Sequence, residues 1–165
     1  MSRLRVAAAA IAAVAFATLL AGCTPTVAMN AAPHANDPKC ASVTVALPDE
    51  VAHEHKDYTN AQATGAWGDP VAVQLRCGVA PLGPTTKPCV TVASGRDSVD
   101  WVLTNDPASK VLTYVTYGRT PAVEVTIQHG KGGVSDANVL PDLAQAVSSI
   151  PQSKVHKCDA SGDAE

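Results

Sequence analysis

The chain has 165 residues and a formal net charge of −3, with 12 Lys and Arg against 15 Asp and Glu. Such a length suits one domain, and a mildly acidic protein is a poor candidate for binding nucleic acid or anionic lipid headgroups. Aromatic residues make up only 4% of the chain, so the core must consist mainly of Val, Leu, Ile and Ala.

The N-terminus has the pattern of a secretory signal peptide. Arg3 and Arg5 form a basic start, and the apolar run from Val6 to Leu20 is shorter than the ~20 residues that a membrane-spanning helix needs. Small residues follow this run. We therefore expect residues 1–22 to be a leader that is removed on export. Both arginines are removed with it, so the mature chain is more acidic.

The leader ends in Leu20-Ala21-Gly22-Cys23, which resembles the lipobox of bacterial lipoproteins. In that family the cysteine thiol is diacylated and the leader is cut just before it. The resemblance implies a lipid anchor at Cys23 and a location on the extracytoplasmic face of the cell membrane. Two or three acyl chains hold a protein firmly, because each buried CH₂ contributes ~0.8 kcal/mol. The alternative is a secreted protein that carries this tetrapeptide by chance.

Four further cysteines, Cys40, Cys77, Cys89 and Cys158, are expected to form two disulfides in an exported chain. No two of them have the CxxC spacing that zinc sites and thioredoxin-like redox sites use. Cys77 and Cys89 bracket a Pro-rich loop between two predicted strands, which favours a Cys77–Cys89 pair. The Cys40–Cys158 pair then follows by elimination.

The segment before Cys40 has no hydrophobic period. Residues 23–38 are rich in Thr, Pro, Ala and Asn, which predicts a flexible tether with an r.m.s. reach of ~20 Å. Apolar residues alternate from Ser42 to Leu47, which predicts a first strand. Pro48 then suits the first turn of a short helix that ends near Lys56.

The tripeptide His53-Glu54-His55 suggests a metal site only if its two imidazoles can meet. On the predicted helix, positions two apart point ~200° away from each other, so they cannot share a metal without a third element. A strand would bring them to one face. We therefore expect a solvated polar helix face, no metal and no cofactor.

The middle of the chain predicts a run of short strands. Val71 to Cys77 alternates, and the loop from Gly78 to Pro88 contains three prolines and two glycines, which exclude a helix there. Further strands are predicted over residues 90–92, 99–104, 111–117 and 123–127. Their short turns suggest an antiparallel meander.

A final helix is predicted from about Leu140 to Ile150, with Pro141 in its first turn and an apolar stripe that includes Leu143 and Val147. Residues 159–165 form a short acidic tail that we expect to be disordered. Together these elements predict an α+β fold over residues 39–158. Its mostly antiparallel sheet would have about five to six strands, two helices on one face and two disulfide staples.

The order of motifs AWGDP, LRCG, a Pro-rich loop, VDW, YGR and PAVEV before a Leu/Ala helix resembles an actinobacterial family of small lipoproteins, domain-of-unknown-function family 3515. The likeness covers roughly Val43 to Ile150. The matched positions are Trp67, Gly68, Arg76, Cys77, Gly78, Asp100, Trp101, Gly118 and Arg119. Because that family has no assigned activity, the resemblance implies an actinobacterial source and a fold but no catalytic residue.

The sequence has no nucleophile elbow, no paired-carboxylate motif and no HExxH motif, so we do not expect an enzyme. We expect a membrane-anchored envelope lipoprotein that acts as a non-catalytic protein-interaction or assembly module. The alternative is a binding module for a cell-wall ligand, either a glycan or a peptide. Nucleic acid is not an expected partner.

A candidate binding face is predicted near the Pro-rich loop, formed by Trp67, Arg76 and Arg119. Prolines and a Cys77–Cys89 disulfide would leave that loop little conformational entropy to lose on binding, and Trp and Arg are enriched at interface hot spots. The alternatives are that Trp67 packs in the core and that the arginines form ion pairs with Asp100 or Glu124. The rigid loop would then only resist proteolysis.

Overall fold

The computed structural model describes residues 26–129 and 133–158. The predicted leader, the proposed lipidation site Cys23 and the predicted acidic tail 159–165 lie outside the described residues. Neither helix within these ranges is long and apolar enough to cross a membrane.

The described residues form nine strands and two helices. In chain order these are β1 (Thr26–Val27), α1 (Pro38–Val45), β2 (Glu50–Val51), β3 (Glu54–Thr59), β4 (Thr64–Trp67), β5 (Val73–Val79), β6 (Cys89–Ser94), β7 (Asp97–Leu103), β8 (Val111–Thr116), β9 (Ala122–Gln128) and α2 (Asp136–Ser148).

The strands form one mostly antiparallel sheet in the order β1-β3-β4-β5-β9-β8-β7-β6, with β2 also paired to β3. Only the two-residue pairing of β1 with β3 is parallel. The predicted α+β class and the antiparallel meander from β6 to β9 are confirmed. The predicted count of five to six strands is too low, because the region before β5 contributes four strands where a tether, one strand, a helix and a loop were expected.

The first predicted strand and the first predicted helix are both wrong. The Asp37 carboxylate accepts a hydrogen bond from the Lys39 amide at 2.9 Å, and Pro38 occupies the first turn, so helix α1 begins at Pro38 and covers most of the expected strand. The predicted helix is instead the β2–β3 hairpin. Its turn residues Ala52 and His53 have positive φ values of 50° and 68°, which is the geometry of a tight two-residue hairpin turn.

The predicted tether is part of the domain from Thr26 onwards. Ala32 and Ala35 are buried, and the His34 amide donates to the Gly78 carbonyl at 2.9 Å. Gly78 has a φ of 102°, and a Cβ atom at this position would collide with the His34 backbone. The flexible tether that we predicted is therefore wrong for the described part of this segment, which passes directly over Gly78.

The main hydrophobic core lies on one face of the sheet. Leu75 of β5, Val125 of β9 and Tyr114 of β8 lie opposite one another across the strands and face this core. Side chains of both helices join the same cluster, among them Val43 and Leu143. Helix α2 contacts β6, β7, β9 and α1, so it closes the cluster over the meander.

Helix α2 begins four residues earlier than we predicted. Ser135 caps it by accepting a hydrogen bond from the Ala137 amide, so Pro141 lies inside the helix and not in its first turn. The Tyr114 hydroxyl donates to the Asp136 carboxylate and fixes the start of the helix to β8. Burial, and then this hydrogen bond, raise the pKa of Tyr114 above its ordinary value, so the phenol stays protonated and remains a donor.

The predicted disulfide pairing is wrong: the structure joins Cys40 to Cys77 and Cys89 to Cys158. Cys77 faces the main core, whereas Cys89 faces the opposite side of the sheet in a smaller cluster with Val102 and Tyr117. Strands β5 and β6 are also four steps apart in the sheet, about 19 Å at a normal strand spacing. A disulfide needs Cα atoms within about 7 Å, so Cys77 cannot reach Cys89.

Peptide mapping under non-reducing conditions should recover two linked peptides, one with Cys40 and Cys77 and one with Cys89 and Cys158. Reduction before digestion should abolish both species, which serves as the control. Recovery of a Cys77–Cys89 peptide from the folded protein would contradict the described strand order.

Candidate functional site

The face of the sheet opposite the main core is the candidate functional surface, and we call it the outer face. It carries Gln74 and Arg76 of β5, and Glu124 and Thr126 of β9. Asp100 of β7 lies on the same side by register. Both ends of the described chain lie against this face, so its accessible part is what they leave uncovered.

The C-terminal segment, residues 150–158, is held to the outer face by Asp100. This carboxylate is 5% exposed and accepts three hydrogen bonds, from Thr91 Oγ1 at 2.6 Å, Gln152 Nε2 at 2.6 Å and the Cys158 amide at 2.9 Å. A buried carboxylate with three donors has its hydrogen-bonding capacity filled. Asp100 therefore stabilises the C-terminal segment and is not free to bind a ligand.

Arg119 is buried beneath the same segment, with 3% of its surface exposed. It donates to the Ile150 carbonyl, and to the Ser98 carbonyl at 2.7 Å. Burial lowers the pKa of Arg119 from its ordinary value, and the negative charges of Asp100 and Asp97 oppose this effect. The guanidinium therefore joins the C-terminal segment to strand β7, and it is not accessible to a binding partner.

Gly118 allows the C-terminal segment to pass close to the turn before β9. Its φ is 71°, its carbonyl accepts from the Ser153 amide at 2.6 Å, and a Cβ atom would collide with the His156 carbonyl. The His156 ring packs edge-on against Tyr117 with ring centroids 5.7 Å apart. The YGR and VDW motifs therefore fasten the C-terminal segment, just as Gly78 of the LRCG motif receives the N-terminal one.

The predicted binding face of Trp67, Arg76 and Arg119 is not formed. Trp67 is fully buried on the core side, and its indole Nε1 donates to the Pro48 carbonyl at 3.1 Å. Arg119 is buried under the tail, and only Arg76 lies on the outer face within reach of solvent. Alternation alone could not show this, because which face is accessible depends on where the two chain ends lie.

Arg76 and Glu124 form an ion pair on the outer face. They lie directly opposite each other on β5 and β9, and Arg76 donates to Glu124 Oε1 from Nε at 2.9 Å and from Nη2 at 2.6 Å. The two side chains remain 33% and 21% exposed. Both charges are therefore positioned by the sheet and still accessible to a ligand.

A pocket of about 280 Å³ opens over this ion pair. Gln74 and Thr126 continue its floor as the next outward pair of the same two strands. The N-terminal segment forms its wall with Ala28, Met29 and Asn30. The pocket thus combines a guanidinium, a carboxylate, two amides and a hydroxyl, which can donate and accept hydrogen bonds but contain no activated nucleophile.

The sequence shows the outward direction of these polar residues but not their neighbours. Gln74 and Arg76 alternate with Val73, Leu75 and Cys77, and Glu124 and Thr126 alternate in the same way on β9. Nothing local indicates that β5 pairs with β9, which follows it after three other strands. Asn30 was missed because its segment was interpreted as a tether.

Two other pockets of about 280 Å³ lie near the N-terminal end of the domain. One is mostly apolar and includes Ala41 and Val45 of α1 with Gln62 and Ala63, and the other includes Lys56 and Tyr58. No cluster of three His, Cys, Asp or Glu side chains suited to a metal ion occurs among the described residues. His53 lies 3.3 Å from Glu50 in the exposed hairpin turn.

A family model described as "Protein of unknown function (DUF3515)" matches residues 4–155, which is nearly the whole chain. This match confirms the family that the order of the motifs resembles. No curated protein and no solved structure shows significant similarity to the chain.

Proposed function

Because the chain belongs to the DUF3515 family, whose function is unknown, we propose a function from its own residues. The protein is a membrane-anchored envelope lipoprotein that acts as a non-catalytic interaction module. Its contact site is the outer-face pocket over Arg76 and Glu124, and its partner is a protein segment in the cell envelope.

The partly exposed ion pair between Arg76 and Glu124 carries this proposal. A pocket that offers a guanidinium, a carboxylate and the amides of Gln74 and Asn30 suits the alternating donors and acceptors of a polypeptide. The two strands beneath it and the Cys40–Cys77 disulfide hold the site before a partner arrives, so binding costs little conformational entropy. Arginine is also a frequent interface hot spot.

A cell-wall peptide is the second candidate, and it is favoured by the presence of both charges in one small pocket. A ligand with a free amine and a free carboxylate can pair with Glu124 and Arg76 at once. The glycan version of this hypothesis loses its support, because it depended on an exposed Trp67 as a stacking platform and Trp67 is fully buried.

We expect intact-mass spectrometry of the membrane-extracted protein to show a chain that begins at Cys23 and carries acyl mass. The four other cysteines are paired in disulfides, so acylation must map to the N-terminal peptide. A Cys23→Ala variant, which lacks the acceptor thiol, is the control and should carry no acyl mass. An unmodified chain released in full to the medium would contradict the anchor.

Arg76→Ala should weaken partner capture from membranes by at least about fivefold, which corresponds to ~1 kcal/mol. The free energy of unfolding should change by no more than ~1 kcal/mol, because the ion pair is partly exposed to solvent. Arg96→Ala removes an equally charged but exposed side chain from the β6–β7 turn and is the matched control.

Glu124→Gln tests the other half of the pocket and should weaken capture to a similar extent. Calorimetric titration with wall-derived peptides distinguishes the second candidate from a protein partner. Tryptophan fluorescence is unsuited to this measurement because Trp67 and Trp101 are both fully buried. If folded Arg76→Ala and Glu124→Gln proteins captured the partner and bound wall peptides as well as the unmodified protein does, the pocket would be excluded as the contact site.

A further inference from the structure

We propose that the domain lies against the surface of the lipid bilayer through one defined end, which we call the membrane-proximal end. It consists of β1, the exposed side chain of Tyr58, the loop over residues 60–63 and the exposed side of α1. This orientation rests on the proposed lipid anchor at Cys23. The membrane-proximal end contacts the interfacial layer of the membrane and not a second protein.

The covalent link between the anchor and the folded domain is very short. Cys23 and Thr26 are three residues apart, so even a fully extended chain separates their Cα atoms by no more than about 11 Å. The headgroup layer of one leaflet is itself ~5–8 Å thick. A lipid at Cys23 therefore holds Thr26 within a few ångströms of the headgroups, where a flexible tether of fifteen residues would have allowed ~20 Å.

Thr26 is fixed to the domain, so the short link also fixes the orientation of the domain. Thr26 lies beside Tyr58 in the parallel β1–β3 pairing, and the Asn60 amide donates to the Val27 carbonyl at 3.3 Å. The Met29 amide donates to Asn60 Oδ1 at 2.8 Å. These contacts attach β1 and the chain that follows it to the end of β3, which brings that end towards the anchor.

Two of the four large exposed hydrophobic side chains of the described residues lie at this end. Tyr58 is 68% exposed and Val45 is 88% exposed, and Val45 lines the apolar pocket with Gln62 and Ala63 of the adjoining loop. Pro38, Ala41 and Val45 form an exposed stripe along α1 at helical spacing. A tyrosine suits the interface because its ring is apolar while its hydroxyl remains hydrated.

Charge at this end neither attracts nor strongly repels a membrane. Lys39 and Lys56 are nearly balanced by the acidic residues of the same region, Asp37, Asp49 and Asp57. Contact should therefore depend on the covalent anchor and on apolar burial, and it should change little with salt. This agrees with the acidic composition, which makes electrostatic binding to anionic lipids unfavourable.

A spin-label experiment tests the orientation on the full lipidated chain in neutral phosphatidylcholine vesicles. Ala41→Cys places a nitroxide at the membrane-proximal end, and Ala93→Cys places one on the distant edge strand β6; both alanines are exposed, so both substitutions should be tolerated. Accessibility to a water-soluble nickel complex should be at least threefold lower at position 41 than at position 93. This difference in accessibility should persist in high salt.

Three further variants separate the effect of the short link from that of the exposed hydrophobic side chains. Insertion of fifteen Gly and Ser residues before Thr26 keeps the acylation signal but lengthens the link to ~20 Å, so protection of position 41 should fall. Tyr58→Ser combined with Val45→Ser should also lower it, while Val90→Ser combined with Val155→Ser, which changes the other two large exposed hydrophobic residues of the described ranges, should not.

Acylation and flotation with vesicles are measured on every sample, so the two hypotheses fail in different ways. An acylated chain that floats but shows equal accessibility at positions 41 and 93 overturns the orientation and leaves the anchor intact. A chain that is neither acylated nor bound to vesicles refutes the anchor and this orientation together.

Discussion

Leu143→Asp should unfold the domain, which is the largest effect that we expect from a single substitution. Leu143 is fully buried in α2, within the cluster that joins both helices to the sheet. Loss of a buried leucine alone costs about 2–5 kcal/mol, and an unpaired carboxylate in an apolar site adds several more. The sum is comparable to the ~5–15 kcal/mol that holds a typical domain folded.

Gln145→Asp is the matched control, because it introduces the same charge two residues away on the exposed side of the same helix. Circular dichroism should show a cooperative melt for Gln145→Asp near that of the unmodified protein and no cooperative melt for Leu143→Asp. If the two variants melted alike, α2 would not pack on the sheet through Leu143.

Arg119→Ala should destabilise the domain by about 3–5 kcal/mol, the range for removal of one member of a buried charged network. The substitution leaves the carbonyls of Ile150 and Ser98 without their donor, and it leaves Asp100 buried without the nearby positive charge. For a domain of this size we expect Tm to fall by about 10–20 °C. An exposed binding arginine would instead have had almost no effect on Tm.

Arg96→Ala is again the matched control and should change the unfolding free energy by less than ~0.5 kcal/mol. The Arg119 variant should also release the C-terminal segment, which faster hydrogen exchange over residues 150–158 would reveal. Protection of that segment equal to that of the unmodified protein would show that Arg119 does not hold it.

The second half of the fold could be predicted from the sequence because its signals are local. The strands from β6 to β9 are β-prone and joined by short connections, so neighbours in sequence are neighbours in the sheet. The apolar stripe of α2 likewise indicates the face that packs, and Leu143 and Val147 are both in the core.

The first half could not be predicted, because its local signals are ambiguous. Val43 and Val45 alternate like strand residues, yet Val43 is buried and Val45 exposed on one short helix that begins at the Asp37 cap. The β2–β3 turn uses Ala52 and His53, whereas hairpin turns of this kind are usually indicated by Asn-Gly or Asp-Gly. Contacts elsewhere decide both elements, including the hydrogen bond from the Ala52 amide to Asp142.

The candidate site was predicted only in part for a related reason. Arg76 and Glu124 could be assigned to outward positions from alternation, but their contact depends on a pairing between distant strands. The burial of Trp67 and Arg119 depends on where the chain between α1 and β2 and the C-terminal segment lie. Of the predicted set, Trp67 is therefore a core residue, Arg119 holds the C-terminal segment, and only Arg76 belongs to the site.

The disulfide connectivity has a consequence for how the chain matures. Cys40 pairs with the next cysteine, Cys77, and Cys89 with the next, Cys158, so the two covalent loops follow one another without overlap. If the chain is exported N-terminus first and Cys23 is acylated, as we propose, each of the other four cysteines meets its native partner before any later cysteine emerges. An oxidase that joins thiols in order of appearance would thus produce the native bonds directly, without an isomerase to correct them.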